Sequence, residues 1–161
     1  SSDLGSGSGV IFGVTGGVTE AVLRRLQQGH NRVDMESIKK SGVRGDDGIK
    51  VLTYNYNGRE IKAAVVNGLA NADKVLQQIK NHEAEYDFVE VMACRRGCIM
   101  GGGQPVNAGP RTRKARMKGL YDTDVNTQIK KSNENPMILS LYDTLLKGKE
   151  HELLHRNFSG K

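Results

Sequence analysis

Asp87-Phe88-Val89-Glu90-Val91-Met92 is a short, mostly apolar run of residues that suit a pleated, half-buried strand. It comes after Leu69, Ala72, Val75, Leu76 and Ile79, which repeat at helical spacing. That helix in turn comes after a second strand-like run, Glu60-Ile61-Lys62-Ala63-Ala64-Val65-Val66. Strand, helix, strand in this order predicts a crossover that pairs the two strands in parallel. Upstream, Asn57-Gly58 is a strong hairpin signal, so the strand-like Ile49 to Tyr56, with Thr53, Tyr54 and Tyr56, pairs antiparallel with the run at Glu60. The fold class is α/β, a small mixed β-sheet flanked by helices.

Outward from the sheet, Val10-Ile11-Phe12 reads as a short strand. Gly13-Val14-Thr15-Gly16-Gly17 then feeds a helix in which Val18, Ala21, Val22 and Leu26 share one face; a glycine turn at a helix start is a geometry that suits anions. Residues 1–9 read as a flexible Gly/Ser segment, and residues 29–47 mainly as loop. Downstream of Met92, Ala93 to Val106 is a glycine-rich loop and Arg113 to Thr123 a helix. Asn135-Pro136 is a helix start, with Asn as cap and Pro in the first turn; Ile138, Leu141, Tyr142 and Leu145 form its expected buried stripe, and Gly148 closes it. His151 to His155 ends the chain as a short helix or turn. The start, Ser1-Ser2-Asp3-Leu4, lacks a Met and reads as the beginning of an excised domain, with no charged n-region or apolar h-region of a signal peptide.

The 161 residues suffice for a domain with a real core. At 37% hydrophobic and 26% charged the chain reads as soluble and globular, and no apolar run is long enough to span a bilayer. The net charge of +6 raises nucleic-acid binding. Aromatics at 5% leave no stacking platform for single strands, and the basic residues are spread out apart from Arg111 to Lys118, so no nucleic-acid partner is expected. That stretch reads as a solvated helix face or, next, as a surface for an acidic protein.

The chemistry concentrates in Glu90-Val91-Met92-Ala93-Cys94-Arg95-Arg96-Gly97-Cys98-Ile99-Met100-Gly101-Gly102-Gly103-Gln104-Pro105. A C-x3-C pair puts two thiols on one tight loop, in reach of two corners of one metal cluster. Gly97 and Gly101-Gly102-Gly103 allow close backbone approach and leave N–H groups to point at cluster sulfurs. A loop after a strand's C-terminal end is a common place for a site in α/β sheets. Spacing alone leaves other readings open. Two inert buried cysteines would look the same, zinc wants four close ligands, and redox dithiols favour the tighter C-x-x-C.

This stretch resembles the third signature motif of the iron-iron hydrogenases. Ser8-Gly9-Val10-Ile11-Phe12-Gly13-Val14-Thr15-Gly16-Gly17-Val18-Thr19-Glu20-Ala21 resembles the family's glycine-rich segment. Val43-Arg44-Gly45, Gly48-Ile49-Lys50, Ala64-Val65-Val66-Asn67-Gly68, Leu120-Tyr121, Ser132-Asn133-Glu134-Asn135-Pro136 and His151-Glu152-Leu153-Leu154-His155 match in order. The resemblance implies one lobe of a two-lobed hydrogenase domain: residues 1–9 a flexible N-terminal segment, 10–109 the C-terminal lobe of the large subunit, 110–161 a helical tail like the small subunit. It implies a 4Fe-4S cluster joined to a two-iron subcluster (together the H-cluster) that carries reversible proton reduction to dihydrogen. Cys94 becomes a terminal cubane ligand and Cys98 the bridge to the two-iron centre. Met92, Gly97, Gly101, Gly102, Gly103 and Gln104 line the pocket.

A cubane wants four ligands and the chain has two cysteines. The other two are expected from the N-terminal half of the same hydrogenase domain, which makes that half the first partner, and the chain alone is expected inactive and without cluster. Ferredoxin or an NAD(P)-linked carrier is the implied electron partner, with no membrane insertion and a cytoplasmic location. A hydrogenase-like sensor and an iron–sulfur cluster assembly protein are the alternatives.

Two departures stand out. Arg95-Arg96 stands where the family often has Pro-Gly or His-Gly; two guanidinium groups pointing inward would raise the cluster potential, but Arg is rarely buried unpaired and the pair reads more readily as pointing to solvent. Asn133 stands where the family usually has His. His151 and His155, at i and i+4, read as a packed helix end rather than a metal pair, for want of a third ligand. Glu90 and Glu134 are assigned no catalytic role. Ser8 and the Gly16-Gly17 turn are candidates to reach cluster ligands through backbone N–H groups. The loop Arg95 to Gln104 is expected to be mobile without the partner lobe and cluster.

Overall fold

A computed structural model describes residues 5–27, 38, 41–45, 48–94, 96–106 and 109–155. Three strands, β1 (Ile49–Tyr56), β2 (Arg59–Asn67) and β3 (Phe88–Met92), lie in the order β1-β2-β3. Among the described residues six helices accompany them: α1 (Gly7–Val10), α2 (Gly17–Leu26), α3 (Leu69–Lys80), α4 (Pro110–Asn126), α5 (Pro136–Asp143) and α6 (Glu150–Leu154). β1 and β2 pair antiparallel, with Tyr56 opposite Arg59. The turn between them places Asn57 at φ 49° and Gly58 at φ 80°, the two left-handed residues of a type I′ turn. β2 and β3 pair in parallel, with Asn67 opposite Met92. The mixed α/β sheet is the one the sequence predicts.

The central strand explains the layering. Ala63 to Asn67 are all buried, so the sheet is covered on both faces. Ala63 and Val65 pack with Leu23 of α2, Leu52, Ile38 and Val43 on one side. Ala64 and Val66 pack with Ala72 and Val75 of α3 on the other. Ile38 and Val43 fall in the stretch expected to be loop, yet both are fully buried; most of residues 28–40 lies outside the described residues.

Several local expectations change. Gly7–Val10 is a helical turn rather than flexible chain, because Ser6 caps it by accepting from Gly9 N and because Gly7 N and Ser8 N donate to Ile129 O and Lys130 O. Ile11–Gly13 continues it as a 3-10 turn, not a strand. In α2 the buried side chains are Thr19, Glu20, Leu23 and Arg24, not the stripe of Val18, Ala21, Val22 and Leu26. α4 runs longer than predicted, starting on Pro110, as that residue's fixed φ and missing N–H allow.

α5 begins as predicted, with Asn135 accepting from Met137 N and Pro136 in the first turn. Its stripe is not buried: Leu141 is 38%, Tyr142 44% and Leu145 69% exposed. The helix ends at Asp143, before Gly148, which instead takes φ 73° in the following turn. No described helix is long and apolar enough to cross a membrane.

Candidate functional site

Cys94 and Cys98 lie beyond the C-terminal end of the parallel pair β2–β3, where open α/β sheets place their ligands. Both are free thiols and both are exposed. Gly97 N donates to Cys94 O (3.0 Å), closing a tight turn between them, and Gly101 N donates to Cys98 O (3.1 Å) across a 3-10 turn over Cys98–Met100. Those two N–H groups are therefore spent on the cysteines' own carbonyls and are not available to cluster sulfurs.

Gly97 has a steric reason to be glycine. Its φ is 78° and ψ 176°, a region that side chains avoid, and a Cβ there would stand 2.8 Å from Gly13 O. A Cβ on Gly101 would come 3.9 Å from Cys94 Sγ. Gly103 has φ 87°, while Gly102 has open space around it, so nothing in this chain demands glycine at 102. Met92 is 9% exposed at the end of β3, and its carbonyl accepts from Gly68 N. Gln104 is exposed.

Three supports hold the loop. Asn67, last in β2, accepts from Arg96 N through Oδ1 (3.2 Å). Arg116, on α4, donates from Nη1 to Ile99 O (2.7 Å) and from Nη2 to Pro105 O (3.4 Å). Ile99, only 7% exposed, packs with Ile11 and Val14 and against Met117, Leu120 and Tyr121 of α4. Part of the Arg111 to Lys118 stretch is thus internal structure rather than a solvated face. Arg113, Arg96 and Met100 line a cavity of about 310 Å³ beside the loop.

Glu90 is the residue that motif reading passes over. It is 4% exposed on β3. Its Oε1 accepts from Gly16 N (2.7 Å), and its Oε2 accepts from Thr19 N and Thr19 Oγ1 (2.7 Å each). The anion that the glycine turn and helix start of α2 receive is this carboxylate. Gly17 N donates to Val14 O, so the Gly16-Gly17 turn makes none of its N–H groups over to a cluster. Ser8 is likewise committed, N and Oγ both donating to Lys130 O.

The family model described as "Iron only hydrogenase large subunit, C-terminal domain" matches residues 2–102, and "Iron hydrogenase small subunit" matches residues 110–161. The chain belongs to the iron-only hydrogenase family. It is 38% identical over 160 residues to Iron hydrogenase 1 of Clostridium pasteurianum, covering 93% of this chain and 28% of that protein. It is 37% identical to the NADP-reducing hydrogenase subunit HndD of Solidesulfovibrio fructosivorans, covering 95% of this chain and 27% of the relative. The chain therefore spans under a third of these curated relatives. Among solved structures, a variant of [FeFe]-hydrogenase HydA1 from Chlamydomonas reinhardtii superposes with a TM-score of 0.61 at 33% identity, over 92% of this chain and 46% of that one. A probable cytosolic Fe-S cluster assembly factor of Aedes aegypti is also related, at 27% identity over 154 residues.

Within this hydrogenase fold the remaining expected features are placed as follows. Arg95 lies outside the described residues; Arg96 is exposed, and its backbone takes φ 75°. His151 and His155 pack edge to face, with ring centroids 4.7 Å apart. Among the described residues no three His, Cys, Asp or Glu side chains gather as a metal-holding group.

Proposed function

We propose that this chain is the cysteine-loop lobe of an iron-only hydrogenase and that Cys94 and Cys98 are two of the thiolates that hold its iron–sulfur centre. The observation that carries the reading is the pair of exposed, free thiols on one turn, tied through Gly97, Asn67 and Arg116 to β2, β3 and α4. Thiolates are the ligands iron–sulfur clusters take. Exposed sulfurs on a braced backbone fit half of a four-ligand set. The bound H-cluster would supply reversible electron and proton chemistry between protons and dihydrogen. Cys94 would be a terminal ligand of the cubane and Cys98 its ligand on the side of the two-iron centre. Met92, Gly97, Gly101, Gly102, Gly103 and Gln104 form the adjoining wall.

The other two ligands come, on this reading, from the N-terminal half of the same domain. Residues 10–109 then form the lobe of the large subunit and 110–161 the tail that is like the small one. The coverage of 46% of a solved hydrogenase chain supports that partner, and so does the exposed apolar surface of α5. Electrons come from ferredoxin or an NAD(P)-linked carrier; one relative is named an NADP-reducing hydrogenase subunit. Free thiols in a ligand pair suit a reducing cytoplasmic setting.

The test uses the intact hydrogenase that contains this chain, loaded anaerobically. Cys94→Ser and Cys98→Ser should each lower iron and sulfide content and abolish dihydrogen evolution from a reduced dye. Wild-type cluster content in both variants would overturn the ligand assignment. A wild-type protein that holds a cluster but neither makes nor consumes dihydrogen would point to the assembly-protein reading instead.

A further inference from the structure

We infer that Glu90 is a positioning residue for the cysteine loop, acting through the glycine turn that Gly97 rests against. The inference depends on the cluster-ligand reading of Cys94 and Cys98 given above.

A carboxylate at 4% exposure needs its lone pairs filled, and at Glu90 the filling is specific. Gly16 N takes one oxygen, and Thr19 N and Thr19 Oγ1 share the other, each bond 2.7 Å long. These donors belong to the turn and first residues of α2, so the carboxylate occupies the anion position at a helix N-terminus. Charge-assisted bonds of this length are about twice as strong as neutral ones. β3 and the glycine turn are thereby locked at a fixed separation.

The turn has little freedom to respond in any other way. A Cβ on Gly16 would meet Val43 O at 2.0 Å, and one on Gly17 would meet Ile11 O at 1.8 Å. Backbone packs on backbone at both positions. The same turn presents Gly13 O, Val14 Cα and Thr15 N to Gly97, at 2.8, 3.4 and 3.5 Å from where its Cβ would be. Gly97 lies between the two cysteines. The path from Glu90 to the cysteines is therefore closed into a ring. One side is the covalent run Glu90 to Cys94 along β3. The other is Glu90 to Gly16 and to Thr19 at the start of α2, back along the turn to Gly13, and across to Gly97. With the ring closed, Cys94 and Cys98 are fixed relative to each other and to the sheet. With it open, Gly97 loses its backstop, and the second cysteine is left held by the Arg116 bond, the packing of Ile99 and the Asn67 bond to Arg96 N.

Glutamine is not a conservative replacement here. Its amide nitrogen would face an N–H donor in place of an acceptor oxygen, so Glu90→Gln breaks one arm of the ring while keeping shape. Thr19→Val removes only the hydroxyl bond and keeps both backbone bonds. Thr19→Ser keeps all three.

The experiment is made on the intact, cluster-loaded hydrogenase, with the electron paramagnetic resonance spectrum of the reduced cluster and the rate of iron loss to a chelator as readouts, alongside circular dichroism and thermal melting. Glu90→Gln should lose iron about 10-fold faster, the lower end of what supporting-shell changes cost metal sites, and the spectrum of its remaining clusters should differ from wild type. Thr19→Val should move both readouts in the same direction by less, and Thr19→Ser should match wild type. A Glu90→Gln protein that melts earlier but keeps the wild-type spectrum would reduce Glu90 to a fold-stabilising residue and overturn the inference. Should Glu90→Gln fail to fold, Thr19→Val decides by the same two readouts. A wild-type protein that holds no cluster at all overturns the ligand reading itself, and this inference with it.

Discussion

Arg24 on α2 grips Asp124 on α4 with both prongs of its guanidinium, Nη1 to Oδ1 and Nη2 to Oδ2, each at 2.7 Å across 100 residues of sequence. Arg24 is fully buried and Asp124 2% exposed. Glu20 completes the group, bonding Arg24 Nη2 from one side and Arg44 from the other. Burial alone works against the charge on Arg24, and the bonds to Asp124 and Glu20 outweigh it, holding the guanidinium above its ordinary pKa. The pair joins the region matched by the large-subunit model to the region matched by the small-subunit model.

From this pairing we predict that Arg24→Ala or Asp124→Ala destabilises the fold by about 3–5 kcal/mol, since each strands a buried charge. The double variant should cost less than the sum of the two. Gly7→Ala should act on the same site, because its Cβ would stand 2.0 Å from Asp124 Oδ1. Urea unfolding of the two singles and the double settles it. Additive losses would show that the two charges are not coupled.

The same pair explains why α2 was only half legible. Hydrophobic periodicity picks Val18, Ala21, Val22 and Leu26 as the inner face, yet the helix buries Glu20 and Arg24. Periodicity counts a charged residue as outward, and nothing local in the sequence shows that Arg24 has an acid waiting 100 residues away. The buried bonds of Glu90 are illegible for the same reason: its partners, Gly16 and Thr19, are 74 and 71 residues distant. By contrast the hairpin, the parallel crossover and the α5 start rest on local rules. Asn57-Gly58 needs two positive φ values and Asn135-Pro136 a cap, and short sequence windows carry both. The apolar stripe of α5 was legible as a stripe, but its exposure depends on tertiary packing, which periodicity does not carry. The cysteine loop was legible as chemistry, but its braces at Asn67, Arg116 and Gly13 were not.

Gly97 separates steric need from mere flexibility. Gly97→Ala places a side chain at φ 78°, ψ 176°, at a cost on the order of 1–3 kcal/mol for such strain, and pushes a Cβ to 2.8 Å from Gly13 O. We expect a lower melting temperature, and faster cluster loss in the loaded hydrogenase. Gly119→Ala is the control: it lies inside α4 with nothing within 4 Å of the new Cβ, and it should stabilise by about 0.5–1 kcal/mol through helix propensity. Equal melting temperatures for the two variants would remove the steric account of Gly97.

Tyr121 gives the fold an alkaline limit that can be measured. Burial, reinforced by the nearby Glu20 carboxylate, pushes its phenol up to about 12 from an ordinary 10.0. Arg44 lies over its ring at 3.7 Å, and its hydroxyl oxygen is buried with no hydrogen-bond partner among the described residues. The folded state thus holds the phenolic proton more tightly than the unfolded state. Stability from this group is fully present below the unfolded value of 10.0 and is lost as pH rises through about 12. Tyr121→Phe removes the titrating group and an unsatisfied buried hydroxyl together while keeping the ring under Arg44. It should therefore leave stability at neutral pH unchanged or slightly raised, and flatten the decline across that alkaline window. Urea unfolding of both proteins at neutral pH and at several points between the two values makes the comparison. Parallel declines in wild type and Tyr121→Phe would place the alkaline loss on other groups.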